Sequence, residues 1–259
     1  MPANFDGAVA LVTGGSAGIG RAVALTFAAR GARVVLAARG ADALEATAEA
    51  IRAAGGDALA VPSDVTDPRA VEALVARAVD HYGSLRYACN AAGIEGPRPT
   101  TLLDHPDDAW DAVMATNLKG CFLTMKHALP RIIQAGGGAV VNLTSVSGLF
   151  GSTGNIAYTT SKWGTVGLTK AAAAQFAPHR VRINAVAPGF TETPMLQRIQ
   201  DAFDSPSDGA EAMRRSHPLD HRFVTPQEVA DAVVWLCSDE ASFITGQVLG
   251  VDGGFMLAR

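Results

Sequence analysis

Short apolar runs alternate along the chain with longer stretches in which apolar positions return every three or four residues. A run that is apolar at nearly every position fits a strand covered on both faces. A three-to-four spacing fits a helix with one buried side. The pattern predicts a strand at Ala8–Thr13, a helix at Ile19–Arg30, a strand at Arg33–Ala38 and a helix at Asp42–Ala53. It continues with a strand at Ala58–Pro62, a helix at Pro68–His81 and a strand at Leu85–Cys89. Pro106–Ala135 reads as helix with an interruption near Asn117–Gly120, followed by a strand at Ala139–Thr144 and a long helix at Ala157–Phe176. A strand at Arg182–Val186, a helix at Pro226–Cys237 and a strand at Gly246–Leu249 complete the series.

Strict strand–helix alternation with connections of a few residues predicts an α/β protein built on a doubly wound parallel β-sheet. No linker divides residues 1–259, so a single domain is expected. Pro194–Pro226 departs from the pattern, being polar with weak helical periodicity. A long insertion of this kind before the last helix reads as a substrate-binding lid at about 194–226.

Apolar residues make up 48% of the chain, enough for a core without disulfide staples. The net charge is −4 with no basic block, which would repel phosphate backbones and argues against nucleic acid as a partner. Cys89, Cys121 and Cys237 lie far apart in apolar stretches, with no CxxC pair, and read as core residues of a protein from a reducing compartment. The six histidines include no HxH or HxxxH pair, so no metal site is expected, and surface or capping roles are. The apolar run Val9–Val12 is too short for a signal or a membrane span. These features together predict a soluble cytoplasmic protein without membrane contact.

Between the first strand and helix lies Thr13-Gly14-Gly15-Ser16-Ala17-Gly18-Ile19-Gly20. Glycines there let the backbone turn tightly against a pyrophosphate, while the helix start behind them offers free N–H groups and a positive dipole end. Three residues separate Gly14 from Gly18, unlike the common GxGxxG.

Further motifs follow in a set order. Asn90-Ala91-Ala92-Gly93 comes after the fourth strand, Asn117 sits in the interrupted helix and Ser145 ends the fifth strand. Tyr158 and Lys162 form a YxxxK pair, Pro188-Gly189 follows the sixth strand, and Thr193 comes just after. Over essentially its whole length the sequence resembles the classical short-chain dehydrogenase/reductase family. The resemblance implies a Rossmann-type fold and an NAD(P)(H)-dependent oxidoreductase that interconverts a secondary alcohol and a ketone by hydride transfer. One departure is Ala91, where the family usually has a second Asn; it removes one side-chain amide near the cofactor.

The residues bear out that chemistry in outline. Tyr158 and Lys162 are four apart on a predicted helix and share one face. A phenol titrates near 10, and a nearby ammonium favours its phenolate, so the pair suits proton exchange with an alcohol or ketone. Ser145, at a strand end, fits a hydrogen bond to the substrate oxygen, or a cap on the following loop. The family spacing selects it over Thr144 and Ser147. Asn117 is a poor helix former, so it kinks the helix; the resemblance adds that it holds a water linking Lys162 to solvent. Catalytic roles are thus expected for Asn117, Ser145, Tyr158 and Lys162.

Cofactor contacts are expected from Gly14, Ser16, Gly18, Ile19 and Gly20 of the turn. By resemblance they extend to Asn90, Ala91, Gly93, Pro188 and Gly189, to Thr193 at the carboxamide, to Asp64 and Val65 at the adenine, and to Tyr158 and Lys162 at the ribose. Asp64 also fits a turn residue ahead of a helix. Ala38, where an NAD site usually has an acid, cannot accept from a ribose 2′-hydroxyl. Arg39 beside it suits a 2′-phosphate, which favours NADP(H) over NAD(H), although Arg39 also fits stacking on adenine. Small residues on the Ala157–Phe176 helix allow close approach, and the resemblance implies a homodimer or homotetramer packed through it and the preceding helix. The substrate pocket is expected to draw on Ile94–Pro97, Val146–Gly151, Asn155, Phe190 and the lid, and to suit a cyclic or moderately bulky secondary alcohol. Two other classes compete. A catalytically silent nucleotide-sensing or scaffolding protein would have no need of the Tyr–Lys pair. An epimerase would need a longer segment after Gly189.

Overall fold

The computed structural model describes residues 4–97, 101–151, 155–203 and 205–258. Seven parallel strands form one sheet in the order β3-β2-β1-β4-β5-β6-β7. They are β1 Val9–Thr13, β2 Arg33–Ala38, β3 Asp57–Pro62, β4 Tyr87–Asn90, β5 Gly138–Leu143, β6 Val181–Pro188 and β7 Val248–Val251. The strand order reverses between β1 and β4, which puts the glycine turn after β1 at a topological switch point.

Alternate residues of each strand enter opposite cores, the physical reason the strands are apolar at nearly every position. Ala10, Val12, Val34, Leu36, Val141 and Leu143 face one side. There they meet α1 (Gly18–Ala29), α2 (Ala41–Ala53) and α9 (Pro226–Cys237). Val9, Leu11, Val35, Ala37 and Val140 face the other side. That side is covered by α3 (Pro68–Tyr82), α5 (Gly120–Gln134) and α6 (Ile156–Phe176). Cys89, Cys121 and Cys237 are free and buried, as expected.

Three local differences from the sequence reading have simple causes. The fourth strand starts at Tyr87 rather than Leu85, where the ladder to Ala10 and Ala139 begins. The last strand starts at Val248 rather than Gly246, because Gly246 takes φ +73° in the turn ahead of it. The helix around Asn117 is not interrupted. Its backbone runs from α4 (Asp107–Val113) through a π-helical segment, Met114–Lys119, into α5. The side chain of Asn117 bonds outward to another loop, so the extra residue of the π turn is accommodated without a break.

The proposed lid is also more regular than its composition suggests. It holds α7 (Pro194–Asp201) and α8 (Pro206–Arg215). Leu196, Met213 and Phe223 bury each other there and pack on Phe190, so the segment carries a small core of its own. Asp204 within it lies outside the described residues.

Candidate active site at the carboxyl edge of the sheet

The loop after β1 closes tightly. Gly14 and Gly18 take φ +69° and +52°, a region that side chains avoid. A Cβ on Gly14 would fall 2.8 Å from the Ala92 nitrogen, and one on Gly18 3.1 Å from the Thr193 methyl. Helix α1 then begins with no side-chain cap and no acidic residue in its first turn. Its free N–H groups therefore open onto a groove. Gly14, Ser16, Gly18, Ile19 and Gly20 line that groove together with Arg39, Asp64, Val65, Ala91, Gly93 and Thr193. Exposed Arg39 stands at its far end next to Ala38. Hydrogen bonds from the Thr66 N–H and hydroxyl, with a lesser pull from the Arg39 charge, hold the Asp64 carboxyl below its ordinary value against the opposing effect of burial. Asp64 is thus a turn residue; the cap of α3 is Asp67, which accepts from the Arg69 N–H.

Asn90 is buried, and its amide donates to Asn142 Oδ1 at 2.8 Å. Asn142 donates in turn to Thr169 at 2.9 Å, which ties β4, β5 and α6 together below the site. Pro188 ends β6 beside β7, and the Gly189 N–H donates to Val251.

Tyr158 lies in the first turn of α6. Asn155 caps that helix by accepting from the Tyr158 N–H at 3.0 Å, and its amide donates to the Pro97 carbonyl at 3.0 Å. One side chain therefore sets the position of Tyr158 relative to the loop after β4. Asn155 entered the sequence reading only as a pocket residue; an Asn three positions before the tyrosine is the signal of its capping role. Burial pushes the Tyr158 phenol above its ordinary value, the Ser145 hydroxyl bonded to it pulls it down, and the Glu95 charge pushes it up. Ser145 also holds the turn after β5 by accepting from the Ser147 N–H.

Lys162 is buried one turn on. Its Nζ donates to the Leu143 carbonyl at 2.9 Å and lies 5.4 Å from the Tyr158 ring centre. Burial lowers its pKa to about 8. Thr144, the neighbour of Ser145, is committed elsewhere, donating to the Lys162 carbonyl at 2.9 Å. Asn117 accepts from the Ile94 N–H at 2.8 Å and donates to the Ile94 carbonyl and to Ser161. Its Oδ1 lies against Gly93, where a Cβ would also come within 3.8 Å of Lys162 Nζ. The four expected residues thus converge on one end of the sheet, beside the glycine turn.

Two features were missed in the sequence. Arg198 on α7 makes a two-pronged ion pair with Glu95 after β4, and so ties α7 to that loop. His217 contradicts the expectation of surface or capping histidines. It is buried, and its Nε2 accepts from the Phe190 N–H. Neither follows a local spacing rule, because both join segments far apart in the chain.

A glycine turn opening a helix at the switch point of such a sheet defines the class of dinucleotide-binding α/β proteins. A family model described as Enoyl-(Acyl carrier protein) reductase matches residues 14–256. Cis-4-hydroxycyclohexanecarboxylate dehydrogenase of Sinomonas cyclohexanicum is 42% identical, with 97% of each chain covered. The 3-oxoacyl-[acyl-carrier-protein] reductase FabG of Thermotoga maritima is 37% identical, covering 98% of this chain and 99% of its own. Among solved structures, levodione reductase superposes with a TM-score of 0.95 at 35% identity, covering 99% of this chain and 100% of that one. The chain belongs to the short-chain dehydrogenase/reductase family. It is an NAD(P)-dependent oxidoreductase acting on alcohol and ketone groups.

Proposed function

We propose that the chain interconverts a cyclic secondary alcohol and its ketone with NADP(H) as preferred cofactor and Tyr158 as the proton donor and acceptor. The convergence of Ser145, Tyr158, Lys162 and Asn117 beside the glycine turn carries this reading. The residues present fit the cofactor. Cβ atoms at Gly14 and Gly18 would fill the space against the turn, and the start of α1 brings unpaired donors to a pyrophosphate. Arg39 would meet the 2′-phosphate, and Ala38 leaves the ribose hydroxyl without an acceptor. Asp64, Val65, Asn90, Ala91, Pro188, Gly189 and Thr193 complete the cradle by family resemblance.

A bound nicotinamide supplies the hydride in reduction and takes it up in oxidation. The chain's own residues manage the proton and the orientation. In reduction, the Tyr158 hydroxyl gives its proton to the carbonyl oxygen, and the Ser145 hydroxyl donates a hydrogen bond to that oxygen. Lys162 holds a positive charge beside the phenol, which favours the phenolate left behind. By family resemblance, Asn117 would hold a water that links Lys162 to solvent, and along that path the phenolate would regain a proton after reduction. In oxidation the phenolate removes the alcohol proton.

The ring-shaped substrate class rests on the relatives, two of which are named for hydroxycyclohexanecarboxylate and cyclohexanol. The notion of a lid at about 194–226 within one domain rests on the position of α7 and α8 beside the groove. A shallow apolar groove along Met114, Leu118, Phe122 and Gly164, with Phe122 and Trp163 exposed, supports self-association into a dimer or tetramer. Three free cysteines support a cytoplasmic setting. The test is a scan of cyclic and open-chain ketones with NADPH and NADH, following absorbance. Turnover of cyclic ketones with NADPH is expected; turnover of none, or of open-chain ketones alone, overturns the reading.

A further inference from the structure

His217 is 1% exposed and lies at the end of the lid, just past α8. Its Nε2 accepts the Phe190 N–H at 3.1 Å, immediately after Pro188-Gly189. A backbone N–H only donates, so that nitrogen is bare and the neutral ring carries its proton on Nδ1. Nδ1 faces the Met213 carbonyl without reaching full hydrogen-bond geometry. The ring packs edge-on against Phe190 at 5.8 Å and at a tilt of 49° against Phe255 at 5.9 Å. The backbone is kept bare to admit it: a Cβ on Gly189 would fall 2.5 Å from Nε2.

We propose that His217 is a positioning residue for the reaction, holding the Gly189–Phe190 turn and the end of the lid together only while its ring is neutral. The proposal rests on the reading of this edge as the reaction site. Protonation would set a donor against the Phe190 donor and break the link. The charged groups acting on the ring are Asp252 after β7, which favours the ammonium-like form, and Arg222 in the loop after α8, which opposes it. The Met213 carbonyl at the end of α8 also favours the charge, while the Gly189–Phe190 and Phe255 segments bring no ionisable group. Burial outweighs these and lowers the ring's pKa. A folded value below the unfolded one means the link is secure above the ordinary histidine value of about 6.5 and is lost as pH falls through the lower folded value.

The test uses the full chain. Hydrogen exchange across 189–224 and kcat/KM for the best cyclic ketone with NADPH are measured from about pH 5 to 8, with exchange corrected for its intrinsic pH dependence. In the wild type, protection of this segment and kcat/KM both fall on the acid side, by about tenfold or more. His217→Gln keeps a neutral acceptor, so its protection and turnover stay within about twofold across the range and match the wild type at the upper end. His217→Leu has no acceptor and is loosened at every pH. The proposal is overturned if His217→Gln shows the wild-type acid limb, or if wild-type protection of 189–224 does not change with pH. Should His217→Gln fail to fold, the wild-type exchange profile decides. Should no ketone be turned over, the functional reading fails while exchange still decides the role of His217.

Discussion

Tyr158 sits in a contest between burial, which raises its pKa, and the Ser145 hydroxyl, which lowers it. Replacing Tyr158 by Phe keeps the ring and removes the proton. Turnover should fall by about 10²–10⁴-fold while cofactor affinity, read by NADPH fluorescence, stays near wild type. Lys162 invites a stability test. Its folded pKa of about 8 lies below the ordinary lysine value of 10.5, so between these values the unfolded chain binds more protons and stability rises with pH. Lys162→Met should abolish that share of the rise, visible as a denaturation midpoint that climbs less with pH than in the wild type. The proposed preference for NADP(H) is tested at Arg39. Arg39→Ala should cost about 1.5–3 kcal/mol in NADPH binding and leave NADH nearly unchanged, with Ala38→Asp acting in the opposite sense. Equal weakening of both cofactors would reduce Arg39 to an adenine-stacking residue.

At the scale of elements, α6 delivers both Tyr158 and Lys162, and its start is set by one cap. Asn155→Ala removes the bonds to the Tyr158 N–H and the Pro97 carbonyl, and should cost about 0.5–2 kcal/mol of stability. It should also lower kcat more than it alters cofactor binding, since the tyrosine is displaced and the groove is not. Helix α7, part of the proposed lid, is tied to the loop after β4 by the Arg198–Glu95 pair, whose arginine side chain is 58% exposed. Such a pair contributes little to global stability, about 1 kcal/mol or less. Arg198→Ala should therefore leave the melting temperature nearly unchanged while raising hydrogen exchange in α7. Cofactor and substrate should then slow exchange across 194–226 in the wild type; equal exchange with and without them would count against a lid.

For the molecule as a whole, the sheet divides the labour. Its two faces are buried in separate cores, which leaves the carboxyl edge free to carry chemistry on loops. The apolar groove on α4, α5 and α6 lies on the outer side of the helix that carries Tyr158. Leu118→Arg there should convert an assembled protein to smaller species in sedimentation without disturbing the monomer's fold, because an isolated apolar surface gains from being covered and a charge opposes this.

Much of this was legible along the chain. Continuous apolar runs marked β1, β2 and β5 because each residue there faces one of two cores, and the glycines after β1 declared a turn that no side chain could enter. Tyr158 and Lys162 were legible because a helix carries positions four apart to one face whatever surrounds it, while Ser145 and Asn117 were named through the family resemblance of their motifs. What the sequence left open depends on contacts between distant segments. Asn117 was read as breaking a helix, yet the Ile94 backbone satisfies its amide and the helix continues as a π turn. The polar lid concealed α7 and α8, whose apolar residues find one another and Phe190 only once the chain is folded. His217 and the Arg198–Glu95 pair carry no local mark at all. Local propensity and periodicity are properties of neighbours in sequence, whereas burial, ion pairing and the protonation of a ring are decided by neighbours in space.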